Sequence, residues 1–359
     1  MNRTPQDTLK TFLTQSTAWI SHHRVVSIFG ALLLIGSFFV YWVFWMPNPI
    51  SGQDGTVIYV ERGSSFRSAL DSLEITGALR SRWAIRLAGR VLGYDQRVYV
   101  GKYRFPEGAS NTAILRGLHF GTSRETEKLA IPEGWRYSYI ASRSARILGV
   151  DSAEISKLCR DTSFMRSFGI TDPDLEGYLL PDTYEFHWQT PEREIVSRLV
   201  GAFKEFFVDS LDVQRKKLRL SMREVLALAS IVEGESNLDE ERARIAGVYW
   251  NRLRKRMRLE ADPTIQYIIP DGPRRLTYAD LRINSPYNTY RRSGLPPGPI
   301  NNPGRASILA TLYPESHQFH FFVATGQGGH TFSRTYAEHL RAVRVYRRVR
   351  RMQQDSSRS

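Results

Sequence analysis

The 359-residue chain holds a single cysteine, Cys159. One thiol excludes an internal disulfide framework and any multi-cysteine metal site. Acidic residues are the minority: 36 Asp and Glu stand against 50 Lys and Arg, a formal net charge of +14. A surplus of that size implies an anionic neighbour: nucleic acid, an acidic lipid surface or an acidic polymer. Familiar catalytic signatures are also missing. There is no H-E-x-x-H, and His317, His320, His330 and His339 have no recognisable ligand spacing, so no metal is expected. No G-x-S-x-G nucleophile elbow occurs. GQGGH at 326–330 lacks the Lys-Ser/Thr of a phosphate-binding loop and reads as a turn, and no cofactor is expected. With 42% hydrophobic and 12% aromatic residues, the chain is too apolar to be mainly disordered. Its length suggests about two domains.

One long apolar run stands out. Val25 to Met46 is uncharged over 22 residues, enough at 1.5 Å per residue to cross a hydrocarbon core of roughly 30 Å. The apolar region of a signal peptide is shorter, ~7–15 residues, and ends at a small-residue cleavage site. This run ends instead in Tyr41, Trp42, Trp45 and Pro47, in the manner of an interfacial aromatic belt. It is read as a membrane anchor. Arg3, Lys10 and Arg24 precede it against Asp7 alone, and Asp54 is the first charge after it. The positive-inside rule leaves residues 1–24 in the cytoplasm and exports about 310 residues. A bacterial inner membrane with the globular part in the periplasm is expected, which argues against nucleic acid as partner.

The exported part opens with a turn-rich linker, Pro47 to Gly55. A strand is expected over Thr56–Glu61, helices around Phe66–Leu73 and Trp83–Val91, and a strand over Arg97–Phe105. This β-α-α-β stretch resembles a LysM module, a small glycan-gripping fold, within a subdomain at 56–122. It lacks the usual closing Pro-Gly turn, having VGKYRFPEG instead, so a docking subdomain without sugar affinity stays open. Matching turns at Pro106-Glu107-Gly108 and Pro132-Glu133-Gly134 hint at a weak internal duplication. The second domain, 123–353, is expected to be mixed with a helical core, giving an α+β chain, and a tail follows at 354–359. Its helices include Glu194–Phe207, one opened by an S-x-x-E capping box at Ser221 and Glu224 with Val225, Leu228, Ala229 and Val232 on its buried face, and Asp239–Met257. The last, Tyr336–Arg351, carries Arg341, Arg344, Arg347, Arg348, Arg350 and Arg351.

The chemistry is sought in SIVEGES at 230–236. Glu233 and Glu235 lie where the well-capped helix ends, and acids there oppose the helix dipole. Solvent exposure is the ordinary explanation. The apolar run before them favours a buried helix that delivers its end to a cleft. The turn-rich segments DPTIQY (262–267), NSPYNTY (284–290) and GLPPGPINNPG (294–304) suit sugar-binding loops. A carboxyl among apolar groups has its pKa raised and can act as a general acid, as glycoside cleavage requires.

The runs LASIVEGES, AGVYWNRLRKRMRLEADPTIQY, NSPYNTYRRSGLPPGPI and FFVATGQGGHTFSRTYAEH, with EGYLLPDTYEF upstream, resemble the YceG-like, MltG-type family of endolytic murein transglycosylases. The resemblance covers nearly everything beyond the anchor. It implies a catalytic glutamate at the second position of the E-x-E pair, Glu235, with Glu233 as a tuning neighbour and substrate-site candidate. It further implies cleavage of the β-1,4 bond between N-acetylmuramic acid and N-acetylglucosamine within a strand, closing a 1,6-anhydro ring. Asp262, Tyr287, Asn288 and Tyr290 are candidates for polar support of the transition state. Peptidoglycan strands, inner-membrane lipid and cell-wall synthases or divisome proteins are the expected partners. A non-catalytic peptidoglycan-binding scaffold is the competing reading.

Overall fold

The computed structural model describes residues 26–50, 54–236, 238–270 and 272–356. The expected cytoplasmic segment 1–24, Val25 and the last tail residues lie outside them. Packing divides the chain into two compact units. One runs up to Thr126 and includes His187–Gln189; the other comprises Glu127–Phe186 and everything from Thr190.

In the first unit, α1 (Val26–Phe44) is long and apolar enough to cross a membrane. Val26, Phe29, Leu33 and Phe38 are exposed along it, as side chains in lipid would be. Its end is anchored in protein. Asn111 Nδ2 donates to the Val43 carbonyl (2.8 Å) and Thr112 Oγ1 to that of Phe44 (2.8 Å), satisfying carbonyls that a helix end leaves unpaired. The expected linker is likewise fastened down: Asn48 is buried and donates to Ala109 O and Asn111 Oδ1, and Ile50 joins the core. Strand β1 (Thr56–Val60), α2 (Phe66–Ile75), α3 (Arg82–Leu92) and β2 (Gly101–Phe105) follow the expected order. β1 and β2 pair antiparallel with Thr56 opposite Phe105 and Val60 opposite Gly101. Residues 97–100, expected as strand, are not in it. After the Pro106 turn comes α4 (Asn111–Phe120), and Ile58, Leu70, Ile85, Tyr103 and Leu115 fill a common core.

The second unit begins at β3 (Thr126–Ala130), which pairs with β4 (Thr183–His187). Between them lie α5 (Tyr137–Leu148), α6 (Ser152–Leu158) and α7 (Thr162–Arg166). Both PEG turns thus join a strand to a helix. The chain continues through α8 (Glu192–Phe206), α9 (Asp209–Lys217), α10 (Met222–Glu235), α11 (Asp239–Arg254) and α12 (Asp262–Ile268) to α13 (Arg305–Leu312). A hairpin of β5 (Phe321–Ala324) and β6 (His330–Ser333) turns through the GQGGH segment, and α14 (Tyr336–Ser356) closes the described chain against it. The arginines of α14 are exposed.

One sequence expectation is extended here and one is corrected. Val225, Leu228, Ala229 and Val232 are buried as expected, and so is the whole of Val225 to Glu233, with Val225, Leu226 and Ala229 in one core cluster and Leu228, Ile231 and Val232 in another. A helix apolar all round sits between layers, and its periodicity is therefore weak. DPTIQY is no loop but the start of α12, with Pro263 in the first turn, where its missing N–H costs nothing.

The capping box at the start of α10 is formed in full: Ser221 Oγ accepts from Glu224 N (3.2 Å), and Glu224 Oε2 from Ser221 N (2.8 Å). Ser221→Ala is expected to lower the unfolding free energy by about 1 kcal/mol in urea denaturation. A change below a few tenths would show that packing alone holds the helix.

Candidate active site

α10 ends on the two glutamates, and their surroundings differ sharply. Glu233 is buried, with Oε1 accepting from Arg242 Nη1 (2.8 Å) and Oε2 from the Gly304 backbone N–H (2.8 Å). Arg242 also donates to Ser307 Oγ (2.6 Å), Asp239 Oδ1 (2.8 Å) and Glu133 Oε2 (3.4 Å). The packing at 304 is close: a Cβ there would lie 1.8 Å from Glu133 Oε1, so the Glu133 side chain would have to move. Burial and the charge of Glu233 raise the carboxyl pKa of Glu133. Glu233 is thus engaged structurally, and it is not among the residues lining the cavity described next.

Glu235, two residues on, lines a cavity of about 520 Å³ with Arg136, Asp262, Gln266, Tyr267 and Asn301. That volume suits a small-ligand site. A larger depression of about 880 Å³ lies along β4 and α8, lined by Asp182, Arg198, Glu205 and Arg305. There Asp182 is paired with Arg305 and its carboxyl is held below the usual range, mainly by the Thr183 backbone N–H, which suits it poorly as a general acid. Chemistry therefore selects the smaller cavity.

One edge of Glu235 reaches the cavity, yet protein surrounds the carboxyl closely enough that loss of water pushes its pKa up to about 7. The Tyr249 hydroxyl, which donates to Oε1 at 2.6 Å, and the cation of Arg252 oppose that rise, while the charge of Asp262 adds to it. Gly234, between the two acids, faces α12 closely: a Cβ on it would meet Pro263 Cβ at 2.7 Å. That contact brings Asp262 to the cavity, where it accepts from the Tyr290 hydroxyl.

The other candidates are distributed otherwise. Asn288 is fully buried; its Nδ2 donates to Leu281 O (3.0 Å) and Ile283 O (2.7 Å), and its Oδ1 accepts from Tyr290 N (2.9 Å). It braces its own loop and is not in the cavity lining, because every polar atom of its amide is engaged in that loop. Tyr287 stacks obliquely on Tyr267, with ring centroids 4.8 Å apart, and so supports a wall from behind. Among the described residues no group of three or more His, Cys, Asp or Glu is placed to hold a metal ion.

Four residues escaped the sequence. Tyr249 lies on α11 in the buried stripe Arg242, Ile245, Tyr249 and Arg252; two arginines and a tyrosine on an inward helix stripe were the signal. Arg136 and Asn301 lie in turn-rich segments whose direction no periodicity reports. Glu176, in the EGYLLPDTYEF segment, is buried and pushed up to about 8 by that burial, although Tyr137 N (2.9 Å) and Asn302 Nδ2 (2.7 Å) donate to its Oε1.

A desolvated carboxyl, hydroxyl-bonded, at the end of a buried helix and lining a cavity of about 520 Å³ is an arrangement capable of acid–base chemistry, on an α+β scaffold. The model of the YceG-like family matches residues 58–345, and the chain belongs to that family. It is 29% identical over 330 residues to the endolytic murein transglycosylase of Bacillus subtilis (strain 168), covering 88% of this chain and 91% of that protein. It is 25% identical to the endolytic murein transglycosylase of Streptococcus pneumoniae serotype 2 (strain D39), over 87% of this chain and 64% of that one. The crystal structure of a YceG-like protein from Listeria monocytogenes superposes with a TM-score of 0.58 at 29% identity, covering 81% of this chain and 99% of that one.

The Tyr249 bond favours the ionised form of Glu235 and so lowers its pKa. Tyr249→Phe is expected to raise the Glu235 midpoint above about 7, as followed by carbon-13 NMR of labelled glutamate carboxyls. An unchanged or lower midpoint would show that the hydroxyl does not hold the carboxylate.

Proposed function

We propose that the chain is a membrane-anchored endolytic lytic transglycosylase that cuts the N-acetylmuramic acid–N-acetylglucosamine β-1,4 bond inside nascent peptidoglycan strands and so terminates their elongation. The observation that carries this is Glu235: a desolvated carboxyl with a pKa near 7, bonded to one tyrosine and open to the cavity. At neutral pH a substantial fraction is protonated and available as general acid.

In the mechanism, Glu235 gives its proton to the glycosidic oxygen as the C1–O bond breaks, and the N-acetylglucosamine leaves with a free 4-hydroxyl. The carboxylate then takes the proton of the muramic acid 6-hydroxyl, whose oxygen bonds to C1 and closes the anhydro ring. The proton count balances and no water is consumed. One carboxyl serves both steps because the nucleophile belongs to the substrate. Asp262, held by the Tyr290 hydroxyl, provides negative charge beside the positive charge developing at C1. A hydrolase would instead use Asp262 to activate water and would release reducing ends.

Residues 123–353 carry the reaction on this reading. The apolar α1 is the anchor, with its N-terminus cytoplasmic and the rest in the periplasm. Synthases or divisome proteins that make the strands are the fitting protein partners. The exposed arginines of α14 suit anionic lipid and the carboxylates of stem peptides.

Glu235→Gln is expected to abolish anhydromuramyl products, at least a thousandfold below wild type by mass spectrometry of digested glycan strands, with an unaltered circular dichroism spectrum. Retained anhydro products would overturn the assignment, and binding without cleavage by the wild type would favour a scaffold. The full chain is expected to stay in the membrane pellet through an alkaline carbonate wash, whereas a soluble form lacking the first 46 residues would mark α1 as a cleaved signal.

A further inference from the structure

Two residues that line the Glu235 cavity each carry a buried polar atom that the described residues leave without a hydrogen-bond partner, Asn301 Oδ1 and Arg136 Nε. Asn301 is only 7% exposed. Its Nδ2 donates to the Ser230 carbonyl (3.0 Å), and since a carbonyl only accepts, that bond fixes which end of the amide is nitrogen. The oxygen is the end left over. The next residue shows the contrast: Asn302 Nδ2 donates to Trp135 O and Glu176 Oε1, and Asn302 Oδ1 accepts from Gly177 N and Leu179 N. Of two adjacent asparagines, one is consumed by the fold and the other, a residue of the cavity lining, keeps an unbonded acceptor. Arg136 packs on an aromatic ring, its guanidinium carbon 4.3 Å from the ring centroid of Tyr267, which itself lines the cavity. A buried carbonyl without a donor and a buried N–H without an acceptor are both unfavourable until a ligand completes them.

We propose that Asn301 and Arg136 form an amide-reading subsite beside Glu235: Asn301 Oδ1 accepts the N–H of a substrate acetamido group, and Arg136 Nε–H donates to an amide carbonyl oxygen. One acceptor and one donor match the two polar ends of a secondary amide, the group that distinguishes N-acetylated amino sugars from plain ones. An ammonium in its place lacks the carbonyl and sets a positive charge beside the guanidinium. The subsite rests on the transglycosylase reading of Glu235.

The test measures kcat/KM of the full-length protein in detergent on N-acetylated glycan strands and on the same strands chemically de-N-acetylated, for wild type, Asn301→Ala and Arg136→Ala. Wild type is expected to favour acetylated strands by about tenfold or more, because a site built to bond a group rejects the analogue that lacks it. Each variant is expected to lose about tenfold on acetylated strands and less than twofold on the others, so that the preference collapses. Arg136 is partly exposed and precedes α5, so its variant decides the matter even if Asn301→Ala fails to fold. A wild type without preference, or variants that keep the wild-type preference, would overturn the subsite alone. A wild type that releases no anhydro ends from acetylated strands would overturn the reading beneath it.

Discussion

The buried ion pair between Glu233 and Arg242 is the constraint on which the site depends. The end of α10 already carries the negative pole of the helix dipole, and two glutamates there make it worse. Arg242 reaches back from α11 to neutralise the first, and the Gly304 N–H, at the start of α13, completes its shell. One guanidinium thereby links α10 to α11, to Ser307 of α13 and to Glu133. Removing one partner of such a pair leaves a buried charge and costs about 3–5 kcal/mol. With Glu233 absorbed in this way, Glu235 is left with a hydroxyl in place of a full counter-charge. Two carboxyls separated by one glycine thus receive opposite environments, and different roles follow from that difference.

The rest of the second unit maintains this arrangement. α10 is buried all round, so its end is set by packing against α11, α12 and α13. Gly234 lets Pro263 approach, which brings Asp262 to the cavity on α12. A site carried on helices is held more firmly than one on loops. Buried Arg252, a turn beyond Tyr249, acts comparably: it donates to the carbonyls of Leu259 (2.7 Å) and His320 (2.6 Å) and so fastens the approach to α12.

Much of this was legible beforehand wherever the cause is local. The capping box depends on residues three apart, the long apolar helix on an uninterrupted apolar run, and the β-α-α-β order on hydrophobic spacing and turn residues. The E-x-E pair stood out because acids at a helix end need a reason. Misreadings arose where a residue's partner is distant in the chain. Asn288 in a turn-rich segment reads equally as a ligand or a brace, and only the carbonyls of Leu281 and Ile283 make it a brace. DPTIQY reads as a loop because Asp-Pro is a turn signal as well as a helix start.

The sequence by itself determined the apolar span, the well-capped helix and the pair of acids at its end, since each follows from short-range sterics, capping and periodicity. Only the tertiary structure decided which acid is neutralised and which is desolvated. That choice rests on Arg242, Tyr249 and Gly304, which lie 9, 14 and 71 residues from the acids they meet. The net charge of +14 likewise drew attention to anionic partners, but the arginines that matter most at the site are buried ones. Their work is to hold carboxylates and carbonyls in place, a role set by long-range packing that composition does not encode.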